Sequence, residues 1–441
     1  MPIQITRGPE NWEILQQTNG RADVVLEGTY TLPETIPTGE ESLWACMLDE
    51  TTGAPVVEWV RAEASEGAFS VTLRDVPAGG LYRLEIRMGK QTDVYGGNLK
   101  PTFSRHHIGV GDNYIVAGQS NASGTARGEI EEPHDLFVHV LRDASYWDLA
   151  THPLDEARCL HSPWIAFAHT LARKLGYPIG LIPTAVGGSL LSSWLPEERG
   201  ELYRGMLDTV RAHRVGVKGV LWVQGCSEAM MKTGHTYLPR LLSFIDRVRA
   251  DLGQLPILML QINRRMDGEA TPEVHRSWSE VREAQRQAAH LREGVYITAA
   301  FDARLSDGIH HGSVTDPALG ERLGRLALHR VYGIGVCHDA PEPVRAVRLP
   351  SGKVEVTFTN THTMQLFAIG ERIPLLLKDS EGEVAITRVD ALGDKLYIAP
   401  ARPLGASATL TSYYGEEQPY FYCDLATQIP GLAFLEFPIE D

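Results

Sequence analysis

Apolar and polar residues alternate along the first hundred residues of the chain. The alternation is clearest at residues 70–74 and 82–88, and turn residues at 77–80 separate these two stretches. A period of two is typical of strands that bury one face, and few segments of this region show helical periodicity. We predict that residues 1–108 form an antiparallel β domain similar to a small sandwich.

Between residues 109 and 335 the pattern changes to short apolar runs separated by amphipathic segments of helical length. Strands buried on both faces of a parallel sheet have such runs, and helices between them cover the two faces. Gly176 ends one amphipathic segment, and Asp316 with Pro317 marks the start of another. We therefore predict an α/β domain with a five-stranded parallel sheet, its strands at residues 114–117, 179–182, 220–223, 257–262 and 295–298.

Alternation returns from residue 336 to the end of the chain. It is clear at residues 353–359 and 395–398, with turn residues at 351–352 and 380–382. This pattern predicts a second β domain over residues 336–441. Three domains agree with the length of 441 residues, which exceeds what one hydrophobic core usually serves.

Charge and composition narrow the classes of partner. The formal net charge is −15, which argues against nucleic acid or an anionic membrane, since both are bound through basic surfaces. The amino terminus lacks a secretory signal and no run of about 18 apolar residues suggests a membrane span, so we expect a cytoplasmic protein. The cysteines are odd in number and scattered, which indicates neither a disulfide framework nor a zinc site; they are Cys46, Cys159, Cys226, Cys337 and Cys423.

Chemically distinctive residues follow the predicted parallel strands at their carboxyl ends, where open sheets of this kind carry their sites. Ser120 follows the first strand, Gly187 and Gly188 follow the second, and Gln224 follows the third. Residues 306–311 follow the fifth strand and read Ser-Asp-Gly-Ile-His-His. Asp307 and His310 are three positions apart in this segment.

A serine, a histidine and a carboxylate are the components of an acyl-transfer triad. Backbone N–H groups of Ser120 and Gly188, together with the Gln224 amide, could form an oxyanion hole. Each motif also has a simpler interpretation as a turn, a tight connection or a satisfied polar residue. Their occurrence together at successive strand ends favours catalysis.

The same motifs resemble the SGNH (GDSL-like) hydrolases, and more closely the branch of sialate O-acetylesterases and acetylxylan esterases. They are Gly-Gln-Ser-Asn at 118–121, Gly-Gly-Ser at 187–189, Trp-Val-Gln-Gly at 222–225 and Asp-x-x-His at 307–310. The resemblance covers roughly residues 109–335 and implies a flavodoxin-like three-layer hydrolase domain without metal or organic cofactor. It also implies Ser120 as nucleophile, His310 as base and Asp307 as its orienting partner, with Ser120, Gly188 and Gln224 as the oxyanion hole.

The chain departs from the family pattern at three positions. Cys226 stands where the family usually has glutamate, Ala122 where methionine is common, and His311 where proline is frequent. A hydrogen bond that tethers the third strand end is therefore expected to be missing. No basic residue adjoins Cys226 in the sequence, which argues against a reactive thiol.

Asn121, Arg127 and Trp194 are candidate substrate-binding residues. Trp194 could stack on a sugar face, although such tryptophans are more often core residues, and Arg127 could pair with a substrate carboxylate such as that of sialic acid. The sequence thus predicts a serine esterase that removes O-acetyl groups from a small-molecule or oligosaccharide sugar. Two alternatives stay open: an acetylxylan or other acyl-sugar esterase, and a carbohydrate-binding protein with an inactive hydrolase domain. A homo-oligomer is equally open.

Overall fold

The structure is a computed structural model that describes residues 2–32, 34, 36, 39, 41–90, 102–128, 130–155, 160–266, 271–368, 375–415 and 420–441. Of the five cysteines, Cys159 lies outside these residues, and the other four are free thiols. No helix among the described residues is both long enough and apolar enough to cross a membrane.

The amino-terminal region consists of two packed β-sheets. β1, β3, β7 and β6 form one sheet in that order, and β4 pairs with β5 and β8 in another. Leu26, Leu73 and Leu84 belong to the core that the two sheets share, which explains the alternation in the sequence. The strands are β1 (Ile3–Arg7), β2 (Ile14–Gln16), β3 (Arg21–Tyr30), β4 (Glu41–Asp49), β5 (Pro55–Arg61), β6 (Glu63–Ser65), β7 (Ala68–Pro77) and β8 (Gly79–Lys90).

The central region is built on a parallel sheet with the order β10-β12-β9-β13-β14-β15, and β11 pairs antiparallel with β10 at one edge. Its strands are β9 (Phe103–Gly118), β10 (Val138–Arg142), β11 (Tyr146–Leu149), β12 (Ile179–Pro183), β13 (Gly219–Val223), β14 (Ile257–Leu260) and β15 (Val295–Thr298). The chain extends the sheet on one side of β9 and then on the other. The carboxyl end of β9 is therefore the position where such sheets bind ligands.

The prediction of five parallel strands is wrong by one, because the structure has six in its described part. The strand that the sequence analysis did not predict is β10, because His139 and Arg142 interrupt its apolar run. Both side chains are buried, and backbone carbonyl groups satisfy them: the His139 ring contacts the oxygens of Trp12 and Leu136, and Arg142 donates to the oxygen of Pro153.

Helices cover both faces of this sheet, which gives three layers. Tyr114 and Val116 of β9 face a core with α2 and α7, whereas Ile115 and Ala117 face a core with α3, α5 and α6. Gly320 allows close packing of α7 on α2, since a Cβ there would lie 2.0 Å from the carbonyl oxygen of Pro163. The helices are α1 (Ser120–Ser123), α2 (Trp164–Leu175), α3 (Glu201–Ala212), α4 (Cys226–Met230), α5 (Tyr237–Leu252), α6 (Pro272–Leu291) and α7 (Asp316–Arg330).

One long strand joins the first two regions. β9 pairs antiparallel with β8 over its first residues and lies parallel between β12 and β13 over its last. β2 also pairs with β9 in parallel, at Gly109–Gly111. The boundary predicted between residues 108 and 109 therefore falls inside a continuous strand.

The carboxyl-terminal region is again β structure. Its sheets have the orders β16-β17-β22-β21, β20-β19-β23-β25 and β18-β24. Gln261, which follows β14, exchanges two hydrogen bonds with the backbone of Ala433 and so ties this region to the parallel sheet. The strands are β16 (Glu342–Arg348), β17 (Val354–Thr359), β18 (Met364–Ala368), β19 (Leu375–Asp379), β20 (Gly382–Val384), β21 (Ile386–Leu392), β22 (Lys395–Pro400), β23 (Thr409–Ser412), β24 (Tyr420–Asp424) and β25 (Phe437–Pro438).

Candidate active site

Ser120 begins the short helix α1 directly after β9. Gly118 ends the strand with φ 127°, and a Cβ at this position would lie 2.2 Å from the carbonyl oxygen of Val223 on β13. Only glycine fits there without displacing the neighbouring strand. Gln119 secures the turn, because its N–H donates to Val223 and its side-chain oxygen accepts the N–H of Gly225. Ser120 is thereby held at the sheet edge with 7% of its surface exposed.

The structure brings His310 and Asp307 to this serine. The Nε2 atom of His310 lies 2.9 Å from the Oγ atom of Ser120. Its Nδ1 atom lies 2.8 Å from Oδ2 of Asp307. The three side chains form one hydrogen-bonded chain that leads from a hydroxyl through an imidazole to a carboxylate.

Asp307 is held in the charged state by its hydrogen bonds. Partial burial alone would raise the pKa of this carboxyl group. The N–H of Ile309, the ring of His310 and the N–H of His310 donate to it, outweigh that effect and lower its pKa to about 2. The carboxylate is therefore an acceptor that fixes the N–H of the imidazole on the nitrogen remote from Ser120.

Two buried asparagines hold the loop that carries His310. Asn121 accepts the N–H of His311, and the side-chain nitrogens of Asn121 and Asn263 both donate to the carbonyl oxygen of Ile309. Asn121 is only 4% exposed. The prediction that Asn121 binds substrate is therefore corrected, since its amide is used in joining the serine turn to the histidine loop.

The sequence analysis did not identify Asn263 as a residue of the site, although its position after a parallel strand is a feature that could have indicated it. It follows β14 closely, at the same carboxyl edge that carries Ser120. Helix α6 fixes its backbone, because Trp278 and Arg282 donate to the Asn263 carbonyl oxygen at 2.7 and 2.6 Å. Burial lowers the pKa of Arg282 to about 9.

The glycine turn after β12 lies against the serine. A Cβ on Gly187 would be 3.9 Å from the Cβ of Ser120, and Gly188 has φ 70° with open space around it. Ser189 anchors the turn through its hydroxyl, which donates to the carbonyl oxygen of Gly118. Among the described residues, no hydrogen bond takes up the backbone N–H of Ser120 or of Gly188. Both groups are therefore available as donors, Ser120 because it begins a helix.

The structure corrects the role predicted for Gln224. This residue is fully buried, and its side-chain nitrogen donates to the carbonyl oxygen of Ser189 and to Oε2 of Glu228. Its side-chain oxygen accepts the hydroxyl of Tyr237. Both amide hydrogens of Gln224 are therefore used within the protein, and one of them supports the glycine turn. No amide hydrogen is left to donate to an oxyanion.

Glu228 supplies the tether that the sequence suggested was missing. Its carboxylate lies 2.5 Å from both the N–H of Leu191 and the amide nitrogen of Gln224. It therefore ties the third strand end to the chain that follows the glycine turn, two positions beyond Cys226. The Cys226 thiol is 3% exposed, and burial raises its pKa to about 12, so it is not a thiolate near neutral pH.

The two other substrate-binding candidates differ in position. Arg127 lies beside the site, with its guanidinium 3.9 Å from the Asp307 carboxylate and its side chain 68% exposed. Trp194 is fully buried against Trp222, and its indole N–H donates to Ser189. The suggestion that Trp194 stacks on a sugar is therefore wrong: this residue packs in the core and supports the glycine turn.

Comparisons with known proteins show which family and which fold this chain resembles. Residues 110–329 match the family model described as carbohydrate esterase, sialic acid-specific acetylesterase. The match confirms the resemblance to SGNH hydrolases of the sialate O-acetylesterase type. No protein with curated annotation matches the chain.

Two solved structures are similar to this chain. A carbohydrate acetylesterase from Xanthomonas citri is similar over 98% of this chain and 96% of its own, at 20% identity and a TM-score of 0.63. A protein from Arabidopsis thaliana covers 49% of this chain and 97% of its own, at 25% identity and a TM-score of 0.43. The first likeness shows a common fold along nearly the whole chain.

Proposed function

We propose that the protein is a serine esterase that removes O-acetyl groups from a sugar, starting from the match of residues 110–329 to the sialic acid-specific acetylesterase family of carbohydrate esterases. The observation that carries the proposal is the hydrogen-bonded chain from Ser120 through His310 to Asp307. This order of groups activates a serine for acyl transfer on several unrelated folds.

In the first half of the reaction, Ser120 becomes acetylated. Nε2 of His310 accepts the hydroxyl proton while Oγ attacks the carbonyl carbon of the acetyl ester. The backbone N–H groups of Ser120 and Gly188 donate to the oxygen that gains negative charge. The tetrahedral intermediate then breaks its bond to the sugar oxygen, which leaves with the proton from His310.

In the second half, water regenerates the serine. His310 accepts a proton from the water as its oxygen attacks the acetyl-serine carbonyl, and it returns that proton to Oγ as acetate leaves. The charged Asp307 stabilises the imidazolium in both steps and keeps the ring oriented. Gln224, Glu228, Asn121 and Asn263 act through the turns that they hold and do not touch the reacting atoms.

For the substrate we propose an O-acetylated sialic acid. Arg127 supports this choice, because its exposed guanidinium at the edge of the site can pair with the sugar carboxylate. Acetylated xylan or another neutral acyl sugar is the alternative within the same chemistry. A neutral sugar would gain nothing from Arg127, and that difference separates the two substrates experimentally.

The test compares the native protein with Ser120→Ala and with Ser123→Ala as a matched control in the same short helix. Acetate release is measured from an aryl acetate, an O-acetylated sialic acid and acetylated xylan. We expect Ser120→Ala to lose at least about 10³-fold in kcat/KM on every substrate that the native protein turns over, while Ser123→Ala retains activity. Turnover that survives Ser120→Ala would refute the serine mechanism. Sugar binding without any turnover would favour the binding protein with an inactive hydrolase domain.

A further inference from the structure

Three potential metal ligands converge outside the candidate active site. One ligand atom each from Glu132, His152 and His161 lies within 4.8 Å of the others. The Nε2 atom of His152 lies 2.7 Å from the Glu132 carboxylate, and the rings of His152 and His161 are 4.5 Å apart between centroids. Two imidazoles and one carboxylate are a donor set that suits divalent transition metals.

The histidines of this cluster carry unused polar atoms. The side chain of His152 is 9% exposed and that of Glu132 is 12% exposed. The Nδ1 atoms of His152 and His161 are buried, and neither has a hydrogen-bond partner in the described part of the chain. Buried polar atoms are rarely left unsatisfied in native proteins, so both atoms call for a partner that the described residues do not supply.

A cation could reach these residues from solvent. They line one side of an open pocket with a volume of about 580 Å³. This volume is larger than a hydrated ion occupies. Glu131 and His134 line the same pocket, and none of its lining residues in the described part of the chain is an arginine or a lysine. The site therefore has an entrance, and no cation among these lining residues opposes the charge of the Glu132 carboxylate.

A second convergent group serves as a contrast. His329, Cys337 and Asp339 also lie within 4.8 Å of one another. There the Asp339 carboxylate is paired with Arg330 at 2.8 Å and accepts the thiol of Cys337 at 3.0 Å. Its charge is already compensated, and a metal ion would have to displace the guanidinium.

We propose that Glu132, His152 and His161 bind one divalent transition-metal ion of the Zn²⁺ kind. The ion would be coordinated by the Glu132 carboxylate and by one unprotonated ring nitrogen of each histidine, and each neutral imidazole would keep its proton on the other ring nitrogen. The remaining coordination positions are filled by water, since three protein ligands leave a Zn²⁺ site open.

The position of the site indicates what the ion stabilises. His161 forms a β-bridge with Ala126, and the adjoining Arg127 bridges Gly312 of the histidine loop. The ion would cross-link the segment after α1, which contains Glu132, to the segment before α2, which contains His161. The Arg127–Gly312 bridge joins the first of these segments to the loop that carries His310, so binding is expected to protect that loop against thermal opening.

The experiment uses the full, tag-free chain, stripped with a chelator and then dialysed. Zn²⁺ is titrated with calorimetry, and Co²⁺ is titrated with visible absorption spectroscopy, because its d–d bands report protein coordination. We expect one equivalent per chain and a rise in Tm of several degrees on saturation. His161→Gln and Glu132→Gln should each weaken binding by at least about tenfold.

Two variants provide matched controls. His169→Gln removes a neighbouring histidine that pairs with Asp135, and His329→Gln removes a ligand of the contrasting group; both should bind like the native chain. Far-ultraviolet circular dichroism of the metal-free proteins establishes that each variant is folded. The proposal is overturned if the native chain binds no stoichiometric Zn²⁺ or Co²⁺, or if His161→Gln and Glu132→Gln bind as tightly as the native chain. None of these readouts depends on esterase activity.

Discussion

The Nε2 atom of His310 lies 2.9 Å from the Oγ atom of Ser120, although 190 positions separate the two residues in the chain. The serine follows the first strand of the parallel sheet, and the histidine follows the last. Their contact exists because Asn121 and Asn263 clamp the carbonyl group of Ile309 next to His310. The proposed chemistry therefore depends on the anchoring of this loop as well as on the proposed reacting groups.

Asp307→Asn should lower the rate of acetate release. Hydrogen bonds lower the pKa of Asp307 to about 2, so its carboxylate stays charged over the range in which activity is measured and can stabilise the imidazolium that forms in each step. Asparagine is neutral, and its side-chain N–H can hold the ring in the wrong tautomer. We expect kcat/KM on an aryl acetate to fall by about 10²–10⁴-fold.

Asp302→Asn is the control for this substitution. Asp302 pairs with Arg322 at 2.7 Å, so its loss should change stability and leave kcat/KM near the native value. A native value of kcat/KM in Asp307→Asn would show that Asp307 does not support the proposed base.

Asn263→Ala should reduce kcat more than it raises KM. The substitution removes one of the two amides that hold Ile309, and it leaves every proposed reacting group in place. We expect a loss of about 10–100-fold in kcat/KM, the size of effect that a misplaced catalytic group produces. Kinetics of Asn121→Ala and of the double variant should be non-additive, because both amides hold the same carbonyl group. Asn360→Ala, which breaks a bond to Ala340 in the carboxyl-terminal region, is the matched control.

Glu228→Gln should destabilise the site, whereas Cys226→Ala should not. Burial raises the pKa of Glu228, and both of its oxygens accept from N–H groups. An amide would point its own N–H at one of these donors, which costs about 1–3 kcal/mol. We expect a lower Tm and a reduced kcat in Glu228→Gln. The same measurements on Cys226→Ala should give values of Tm and kcat near those of the native protein. Equal effects of the two substitutions would show that Glu228 is not the tether.

Arg127→Gln should distinguish charged from neutral substrates. If the guanidinium pairs with a sugar carboxylate, KM for O-acetylated sialic acid rises about tenfold, and the values for an aryl acetate and acetylated xylan stay the same. Arg325→Gln, which removes another exposed arginine paired with Glu321, should have no effect on any of them. A uniform loss on all substrates would instead indicate that Arg127 acts through the nearby Asp307.

Asp424→Asn should remove part of the acid sensitivity of the fold. Burial alone would raise the pKa of this inaccessible carboxylate, but N–H groups of Thr363, His362 and Thr427 outweigh that effect and hold the pKa well below its usual range. The unfolded chain therefore binds a proton before the folded one does. This contribution to stability is complete above about pH 4 and is lost as the pH falls further.

Denaturant unfolding at several pH values measures the contribution of Asp424. Asp424→Asn should be less stable near neutral pH by about 2 kcal/mol, and the difference should shrink in acid. A difference that is the same at every pH would contradict the lowered pKa. Asp390→Asn, which removes a carboxylate with a partly exposed side chain in the same region, controls for the change of charge.

Periodicity predicted the layers of the fold well, because five of the parallel strands are apolar on both faces. It failed at β10, where His139 and Arg142 are buried through hydrogen bonds to carbonyl groups that are distant in sequence or depend on the fold. Such partners have no local signature. Likewise, alternation indicated the terminal β regions but contained no information on how their strands pair.

The candidate site was predictable where backbone constraints create motifs. Gly118, Ser120 and the Asp307–His310 pair are local patterns, and the structure brings them together as expected. The support around them was not predictable: Trp194 and Gln224 have the residue types of a sugar platform and an oxyanion donor, yet both are used to hold the glycine turn. Whether a polar side chain faces substrate or protein is decided by tertiary packing.

The continuous strand β9 has a consequence for how this protein could be divided. Asn113 lies in the second half of β9. Its side-chain nitrogen donates to the carbonyl oxygen of Ile14, and its backbone N–H donates to the side-chain oxygen of Gln16. A fragment that begins at residue 109 would lose β2, expose a sheet edge beside Asp112 and shorten the strand that ends at the serine. The amino-terminal region is therefore not a detachable appendage but part of the scaffold that positions the serine, and exchanging it for that of a relative would perturb catalysis from the opposite end of the same strand.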